Sequence, residues 1–430
     1  MSNVCLYFQM HQPYRLRRYT PFDTDCRYFD DALNARILHR VAEKCYGPAC
    51  ALFAELIERH GGAFRFGLSI TGVLVEQLRA QRPDILEQLA ALARSGCVEF
   101  LAETYDHSLA GLYSAGEFAA QVQMHGRLMD ACFGQRPTTF RNTELIYSNA
   151  IASAVAGMGY RTMLVEGADR CLGGVSANEL RRSAGAEGGV VLLCRNYVAS
   201  DDIAFRFSDR SCPGWPLRAD SFGPRLVREP GAVRCVFIDL ETLGEHQWPE
   251  TGIFEFFRYL PGSVLGAGGR FVTPAEASRG AGDPALVLDC PEPMSWADTE
   301  RDVSAWLGNG MQQDAAQRAY GLESAIKQSA DSGLLADWRR LTISDHYYYM
   351  STKSFGDGAV HSYFNPYQSP YDAYLNYMNV LDSFEQRLAG LARRSLGLTA
   401  AGAGRSAAGG SLGAAGGSGR GSLASGAARA

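Results

Sequence analysis

The sequence predicts a closed or nearly closed β/α barrel. Seven short runs rich in aromatic and β-branched residues alternate with amphipathic helical patterns, and strands that alternate with helices form a parallel sheet. About seven such units suit a barrel. A doubly wound open sheet is the alternative architecture. No glycine-rich dinucleotide or phosphate-binding fingerprint follows any of these runs, which counts against a nucleotide enzyme.

The predicted strands are short, continuous apolar runs, as is typical of strands buried on both faces of a parallel sheet. They cover residues 4–10, 64–70, 98–102, 138–142, 161–165, 190–194 and 235–238. Amphipathic helices are predicted between them, for example over 33–45, 51–60, 83–94 and 117–133. Together these elements assign residues 1–295 to a catalytic β/α barrel.

A helical region should follow the barrel and complete its site, over residues 296–395. Helical patterns there cover 296–307, 311–328, 334–344 and 373–391. The remaining residues, 396–430, are mostly Ala, Gly and Ser, with too few apolar side chains to offset the entropy cost of ordering. We therefore expect a disordered tail.

Composition narrows the class of protein and its surroundings. A net charge of -5 argues against a nucleic-acid partner, which needs clustered Lys and Arg. No apolar run is long enough to span a membrane, so no membrane partner is expected. The N-terminus has no signal-peptide pattern, and the 11 cysteines contain no C-x-x-C pair. We expect reduced thiols and a cytoplasmic protein, of undetermined oligomeric state.

Polar clusters follow four of the predicted strands and one helical segment. In β/α barrels the reactive residues lie at the carboxyl ends of the strands. The segments are HQPYR (11–15), ETYDH (103–107), TE (143–144), DLE (239–241) and SDHYYY (344–349). Because all five occupy comparable positions, they predict one shared pocket.

Asp239 and Glu241 are two residues apart at the end of an apolar strand, so they should project to the same side. Two such carboxylates repel, and repulsion raises the pKa of one of them. A carboxylic acid of that kind can donate a proton near neutral pH.

Each cluster also has a simpler interpretation. His11 could cap a strand, Glu144 could stabilise a helix N-terminus, and Asp345 with His346 could form a buried hydrogen-bonded patch. Their joint occurrence favours a pocket lined by acids, histidines and aromatic side chains. Such a pocket suits a sugar, which stacks on aromatic rings and bonds acids through its hydroxyls.

Five motifs in order resemble glycoside hydrolase family 57, in its α-amylase-like group. They are HQPYRL (11–16), FLAETYDHSL (100–109), FRNTELIYSNAIA (140–152), VFIDLETLGEHQW (236–248) and TISDHYYYMSTKS (342–354). The segment SWADTERDVSAWLGN (295–309) is also similar to that group. The resemblance covers roughly residues 4–390.

The resemblance implies an incomplete (β/α)7 barrel, of the type shared with deacetylases, followed by a helical region. It also implies retaining cleavage of α-glucosidic, mainly α-1,4, bonds in starch- or glycogen-type glucans, with no metal or other cofactor. By motif position Glu144 matches the nucleophile and Asp239 the general acid/base. The implied substrate-binding residues are His11, Gln12, Glu103, His107, Glu241, His246, Trp248, Asp345 and His346.

The chain departs from the motifs at Asp106, Leu240 and Leu243, where the family pattern leads us to expect aromatics. Asp106 should add a charge near the entrance of the pocket. Three alternatives to a hydrolase stay open: a 4-α-glucanotransferase or branching enzyme with the same site, a metal-dependent deacetylase-like or α-mannosidase-like enzyme, and a glucan-binding protein without catalysis.

Overall fold

The computed structural model describes residues 2–185, 189–279, 284–353 and 364–395, without the side chains of 394 and 395. The predicted tail, 396–430, lies outside these ranges. The chain divides into two compact units, Met1–Leu388 and Ala389–Ala430, and the site lies in the first. The domain boundary near residue 295 stays a prediction.

All seven predicted strands are present, with their ends shifted by a few residues. They are β1 Ser2–Met10, β2 Phe66–Ile70, β3 Val98–Phe100, β4 Thr139–Arg141, β5 Thr162–Glu166, β7 Val191–Arg195 and β8 Val233–Asp239. Three further short strands are β6 Arg181–Ser183, β9 Gly269–Phe271 and β10 Leu286–Leu288.

The seven strands are parallel and curve into a barrel in the order β3-β2-β1-β8-β7-β5-β4. Two neighbouring pairs of strands in this barrel are joined by few residues. A single bridge between Ala102 and Phe140 joins β3 to β4, and one residue pair, Arg195 and Cys235, joins β7 to β8. The incomplete barrel is therefore confirmed, and the open-sheet alternative is wrong.

Helices surround the barrel, and a helical region follows it, as predicted. The α-helices between strands are Asp31–Val41, Gly47–Arg59, Gly72–Gln81, Pro83–Arg94, Ala110–Tyr113, Ala115–Phe133, Asn149–Gly157, Asp169–Leu172, Tyr197–Ala204, Ala219–Arg228, Ile253–Gly266 and Pro274–Arg279. Those after β10 are Ser304–Leu307, Gly310–Gly321, Glu323–Ser329, Ser332–Leu341, Ser344–Tyr348 and Pro370–Ser395. A π-helix, Ala42–Tyr46, joins the first two, and 3-10 turns cover Thr143–Leu145, Leu240–Thr242 and Pro249–Thr251.

The helix predicted over 296–307 is wrong for most of its length, because it begins only at Ser304. Asp298 and Arg301 have φ angles of 55° and 51°, which a right-handed helix cannot contain. This irregular segment instead places the indole of Trp296 beside Glu144, to which it donates a hydrogen bond.

Strand β1 separates an apolar core on the helix side from another inside the barrel. Val4, Leu6 and Phe8 pack toward the helices, whereas Cys5 and Tyr7 fill the barrel interior, as the two-residue period of a strand requires. None of the helices within the described ranges is long and apolar enough to cross a membrane.

Candidate active site

A pocket lies where the carboxyl ends of β1, β4 and β8 meet. The strands deliver side chains from HQP, FRNTE and DLE to one edge of the barrel, because neighbouring parallel strands end on the same side. Its lining residues are Gln9, His11, Gln12, Pro13, Arg15, His107, Arg141, Glu144, Asp239, Glu241, His246, Asp345 and Phe364.

Both carboxylate oxygens of Glu144 have hydrogen-bond partners. The Nε2 atom of His107 lies 2.8 Å from its Oε1, and the indole Nε1 of Trp296 donates to its Oε2 at 2.6 Å. Its backbone is left-handed, with φ of 56°, an uncommon conformation for a residue with a side chain. Two donors and a fixed backbone keep the carboxylate oriented toward the pocket.

His107 lies between two acids and is also left-handed, with φ of 50°. Burial opposes its charge, but Glu103 and Glu144 outweigh burial and raise its pKa to about 9. Its Nδ1 is 3.6 Å from Glu103. His107 is therefore an imidazolium at neutral pH and can donate to the carboxyl group of Glu144.

Glu103 does not line the pocket, but its carboxylate contacts His107, which does. It is fully buried, and the amide of Gln9 donates to both of its oxygens at 3.3 and 3.2 Å. Burial raises its pKa, yet the partners His107, His125 and Arg141 reverse that effect and lower it. Glu103 thus contributes a fixed negative charge beneath the pocket.

His11 stacks on His107 with the ring centroids 3.9 Å apart. Burial and the charge of His107 lower the pKa of His11 to about 4, so only one ring of the stack is charged. Nε2 of His11 lies 3.0 Å from Asp345 and Nδ1 lies 2.9 Å from Oγ1 of Thr71. A neutral ring satisfies both partners by donating from Nε2 to Asp345 and accepting from Thr71.

Asp239 and Glu241 both line the pocket, as predicted, but only Asp239 belongs to the strand. Glu241 lies in the 3-10 turn that follows. Burial, and then the charge of Asp239, raise the pKa of Glu241 to about 8, although Tyr46 and the backbone N–H of His11 donate to it. This carboxyl can therefore hold a proton at neutral pH.

The remaining predicted residues are divided between the pocket and its surroundings. Gln12 and His246 line the pocket, and Gln12 accepts a hydrogen bond from Arg15 at 3.0 Å. Trp248 is 56% exposed and lies outside the lining. His346 is buried, with Nε2 3.1 Å from the carbonyl oxygen of Arg340, so it supports the helix that carries Asp345.

The prediction that Asp106 adds a charge near the entrance of the pocket is wrong, because its side chain is buried, with 3% exposure. Burial raises its pKa to about 8, and its Oδ2 has no hydrogen-bond partner among the described residues. Leu240 and Leu243 are fully buried in the helix-side core. The departures from the family motifs therefore fall on packing positions.

The sequence patterns do not predict three residues of the site and its surroundings: Gln9, Arg141 and Trp296. A usable signal for Trp296 is the segment SWADTERDVSAWLGN (295–309), which is similar to the family and contains this tryptophan. Arg141 and Gln9 are strand residues in motifs, and their inward direction follows only once the barrel has closed.

Three side chains could hold a metal ion: ligand atoms of His11, His107 and Asp345 lie within 4.8 Å of one another. Their chemistry fits a cation poorly. The imidazolium of His107 has no lone pair to offer, and Nε2 of His11 already bonds Asp345. These residues are better explained as a hydrogen-bonded unit.

The arrangement provides two roles that a carboxylate-based hydrolase needs. An oriented carboxyl group is available at Glu144, and the pair Asp239 and Glu241 can hold a proton in the same pocket. Paired carboxyls of this kind cleave glycosidic bonds.

Comparison with known proteins identifies the family. Residues 5–288 match the model of glycosyl hydrolase family 57, so the chain belongs to this family and is a glycoside hydrolase. A Methanocaldococcus jannaschii protein, provisionally named alpha-amylase, is 38% identical in an alignment of 411 positions, which covers 90% of this chain and 85% of that protein.

Solved structures share the fold at low sequence identity. A branching enzyme of the family from Pyrococcus horikoshii has a TM-score of 0.67 at 15% identity, covering 93% of this chain and 92% of its own. An α-amylase from Thermotoga maritima has a TM-score of 0.58 at 14% identity, with coverages of 91% and 94%. A 4-α-glucanotransferase from Thermococcus litoralis has a TM-score of 0.62 at 12% identity, covering 80% of this chain, which spans 56% of that longer protein.

Proposed function

We propose that this glycoside hydrolase cleaves α-glucosidic, mainly α-1,4, bonds of starch- or glycogen-type glucans by double displacement. The observation that carries the proposal is the pair of hydrogen bonds that orient Glu144 in the pocket it shares with Asp239. The 38% identical relative named as an alpha-amylase supports the substrate class.

In the first step Glu144 attacks the anomeric carbon and forms a glycosyl ester, while Asp239 protonates the departing glycosidic oxygen. The donors His107 and Trp296 hold Glu144 in position for this attack. Glu241 keeps a proton within the acid pair, so that Asp239 can deliver one near neutral pH.

In the second step water or a sugar hydroxyl attacks the ester. Asp239, now ionised, removes a proton from the attacking oxygen, and Glu144 leaves as a carboxylate. The imidazolium of His107 stabilises the charge that returns to Glu144. The anomeric carbon is inverted twice, so its configuration is retained.

Transfer to a sugar acceptor is the second candidate function. It uses the same two carboxyls, and structures with this fold include a branching enzyme and a 4-α-glucanotransferase. Hydrolysis and transfer differ in whether water or a glucan hydroxyl reaches the glycosyl ester.

A product profile on amylose, glycogen and short maltooligosaccharides tests both proposals. Hydrolysis gives new reducing ends, whereas transfer gives longer or branched chains with no net gain in reducing ends. Proton NMR in the first minutes should show the α-anomer. Initial release of the β-anomer would mean that water attacks the sugar directly and that Glu144 is a base.

The free cysteines among the described residues support a reducing compartment. We accordingly propose a cytoplasmic location, which cell fractionation can test.

A further inference from the structure

Arg141 ends strand β4, three residues before Glu144, and its side chain lines the pocket. It is completely buried. Within the part of the chain that the structure describes, none of its three guanidinium nitrogens has a hydrogen-bond partner. Its contacts are electrostatic: Glu103 lies 3.7 Å from Nη1, and the ring of Trp296 lies 5.0 Å from the guanidinium carbon.

Two other buried arginines, Arg181 and Arg195, make several hydrogen bonds each, whereas Arg234 has one unpaired nitrogen, Nε, among the described residues. Arg181 donates to four backbone carbonyl oxygens, those of Leu172, Val175, Ser176 and Glu179. Arg195 donates to Glu166, Asp201 and the carbonyl oxygen of Phe237. A buried guanidinium without such partners is unfavourable, and an unsatisfied buried polar group calls for an explanation.

We propose that Arg141 binds hydroxyl groups of the sugar residue that reacts with Glu144, so that its donors are satisfied when substrate fills the pocket. This inference rests on the proposed function, because it assumes a glucan substrate. Arg141 would be a substrate-contacting residue that selects for the hydroxyl pattern of the reacting sugar.

The chemistry of the pocket favours a neutral sugar over an anionic one. Glu144, Asp239 and Asp345 line the same pocket and would repel a phosphate or a carboxylate. Hydroxyl oxygens can still accept from Arg141. The planar fork of a guanidinium can donate to two neighbouring hydroxyls together, and the ring of Trp296 makes a cation–π contact with this guanidinium.

Two variants test the proposal: Arg141→Lys, which keeps the charge but not the fork, and Arg141→Gln, which serves if the lysine variant does not fold. We expect kcat/KM on a 4-nitrophenyl α-maltooligosaccharide to fall about 100-fold for Arg141→Lys, with the melting temperature close to that of the wild type. Arg181→Lys is the matched control. It should lower the melting temperature and leave kcat/KM unchanged.

Substrates that lack single hydroxyls on the reacting sugar separate binding from a purely structural role. If Arg141 binds a hydroxyl, a substrate without that hydroxyl should have a much lower kcat/KM with the wild type. With the Arg141→Lys variant its kcat/KM should fall only slightly. An equal fall in kcat/KM in both proteins for every deleted hydroxyl would overturn the proposal. Absence of wild-type turnover on any α-glucan would instead contradict the proposed function. Calorimetric binding of maltotriose to wild type and Arg141→Lys would then decide the role of Arg141, and equal affinities would overturn it.

Discussion

Glu144 and His107 combine an unusual backbone with a direct hydrogen bond. Both have positive φ angles, and their side chains meet at 2.8 Å. Left-handed backbone at residues with side chains costs of order 1 kcal/mol or more, and it persists where surrounding contacts enforce it. The backbone strain therefore lies at the two residues whose side chains must be oriented for the reaction.

Replacing either catalytic carboxyl should abolish a chemical step without disturbing packing. We expect Glu144→Gln and Asp239→Asn each to lower kcat by about three orders of magnitude or more, with unchanged circular dichroism. Glu58→Gln, at an exposed helix position, is the control and should keep wild-type kcat. Near-wild-type turnover in either site variant would reject its assigned role.

Glu241 should set the alkaline limit of activity. Its pKa of about 8 belongs to a pair with Asp239, so the pair keeps one proton up to that pH. We expect kcat/KM to fall as pH rises through about 8. In Glu241→Gln the negative neighbour is absent, and the pKa of Asp239 should drop. The alkaline limb of the pH profile should move to lower pH by about one unit or more. An unmoved limb would show that Glu241 does not share the proton.

Asp106 should make the protein less stable as pH rises. The unfolded chain releases this proton near pH 4, whereas the folded protein keeps it until about pH 8. The contribution of this proton to the free energy of unfolding is fully present below pH 4. It is lost as pH rises to about 8. Asp106→Asn should therefore melt about 5 °C higher than wild type at pH 8, with a smaller difference at pH 4.

Melting curves of both proteins across this pH range check the sign. The exposed Asp220→Asn variant should show no comparable change with pH. A gain that is equal at pH 4 and pH 8 would mean that Asp106 is not protonated in the folded protein.

The loop after β3 depends on close contact with the helix Gly72–Gln81. A Cβ atom on Gly72 would lie 2.5 Å from the ring of Tyr105, whose hydroxyl donates to Glu76 on that helix. Gly72→Ala should push this loop, and His107 with it, away from the pocket. We expect lower kcat and a melting temperature reduced by about 5 °C.

Gly126→Ala is the matched control for this change. A Cβ there has its nearest neighbour at 3.9 Å, in the middle of the helix Ala115–Phe133. Alanine favours a helix over glycine by about 1 kcal/mol, so this variant should be slightly more stable and fully active. Equal effects of the two substitutions would remove the steric argument.

The strands and most helices could be predicted because their signal is local. Continuous apolar runs fixed the seven barrel strands, and the helix Pro83–Arg94 has the predicted limits. The segment around Trp296 could not be predicted in this way. Its conformation depends on distant contacts: Trp296 bonds Glu144, and Arg301 pairs with Glu166 and Asp201.

The residues that form the site could be predicted better than their pKa values and hydrogen bonds. Sequence spacing brought Asp239 and Glu241 together, but the pKa of Glu241 is raised mainly because this carboxyl is buried, and the hydrogen bond from Tyr46 only opposes that effect. The unbonded guanidinium of Arg141 is likewise visible only after β4 closes against its neighbours. Both depend on burial in three dimensions, which spacing alone does not determine.

The pocket draws on segments from the whole length of the first unit. His11 follows β1, His107 follows β3, and Asp345 belongs to the helix Ser344–Tyr348 beyond the barrel. The backbone N–H of Ser344 donates to the carbonyl oxygen of His107, which fixes that helix to the barrel loop. The helical region thus helps to form the site.

Convergence of His11, His107 and Asp345 raises the question of metal dependence, which chelation can answer. Because His107 is protonated and His11 is committed to Asp345, we expect dialysis against a strong chelator to leave kcat unchanged at pH 7. Metal analysis of the purified protein should find less than one ion per chain. Activity that is lost on chelation and restored by a divalent cation would assign these three side chains as ligands. It would then favour the metal-dependent alternative over double displacement through Glu144.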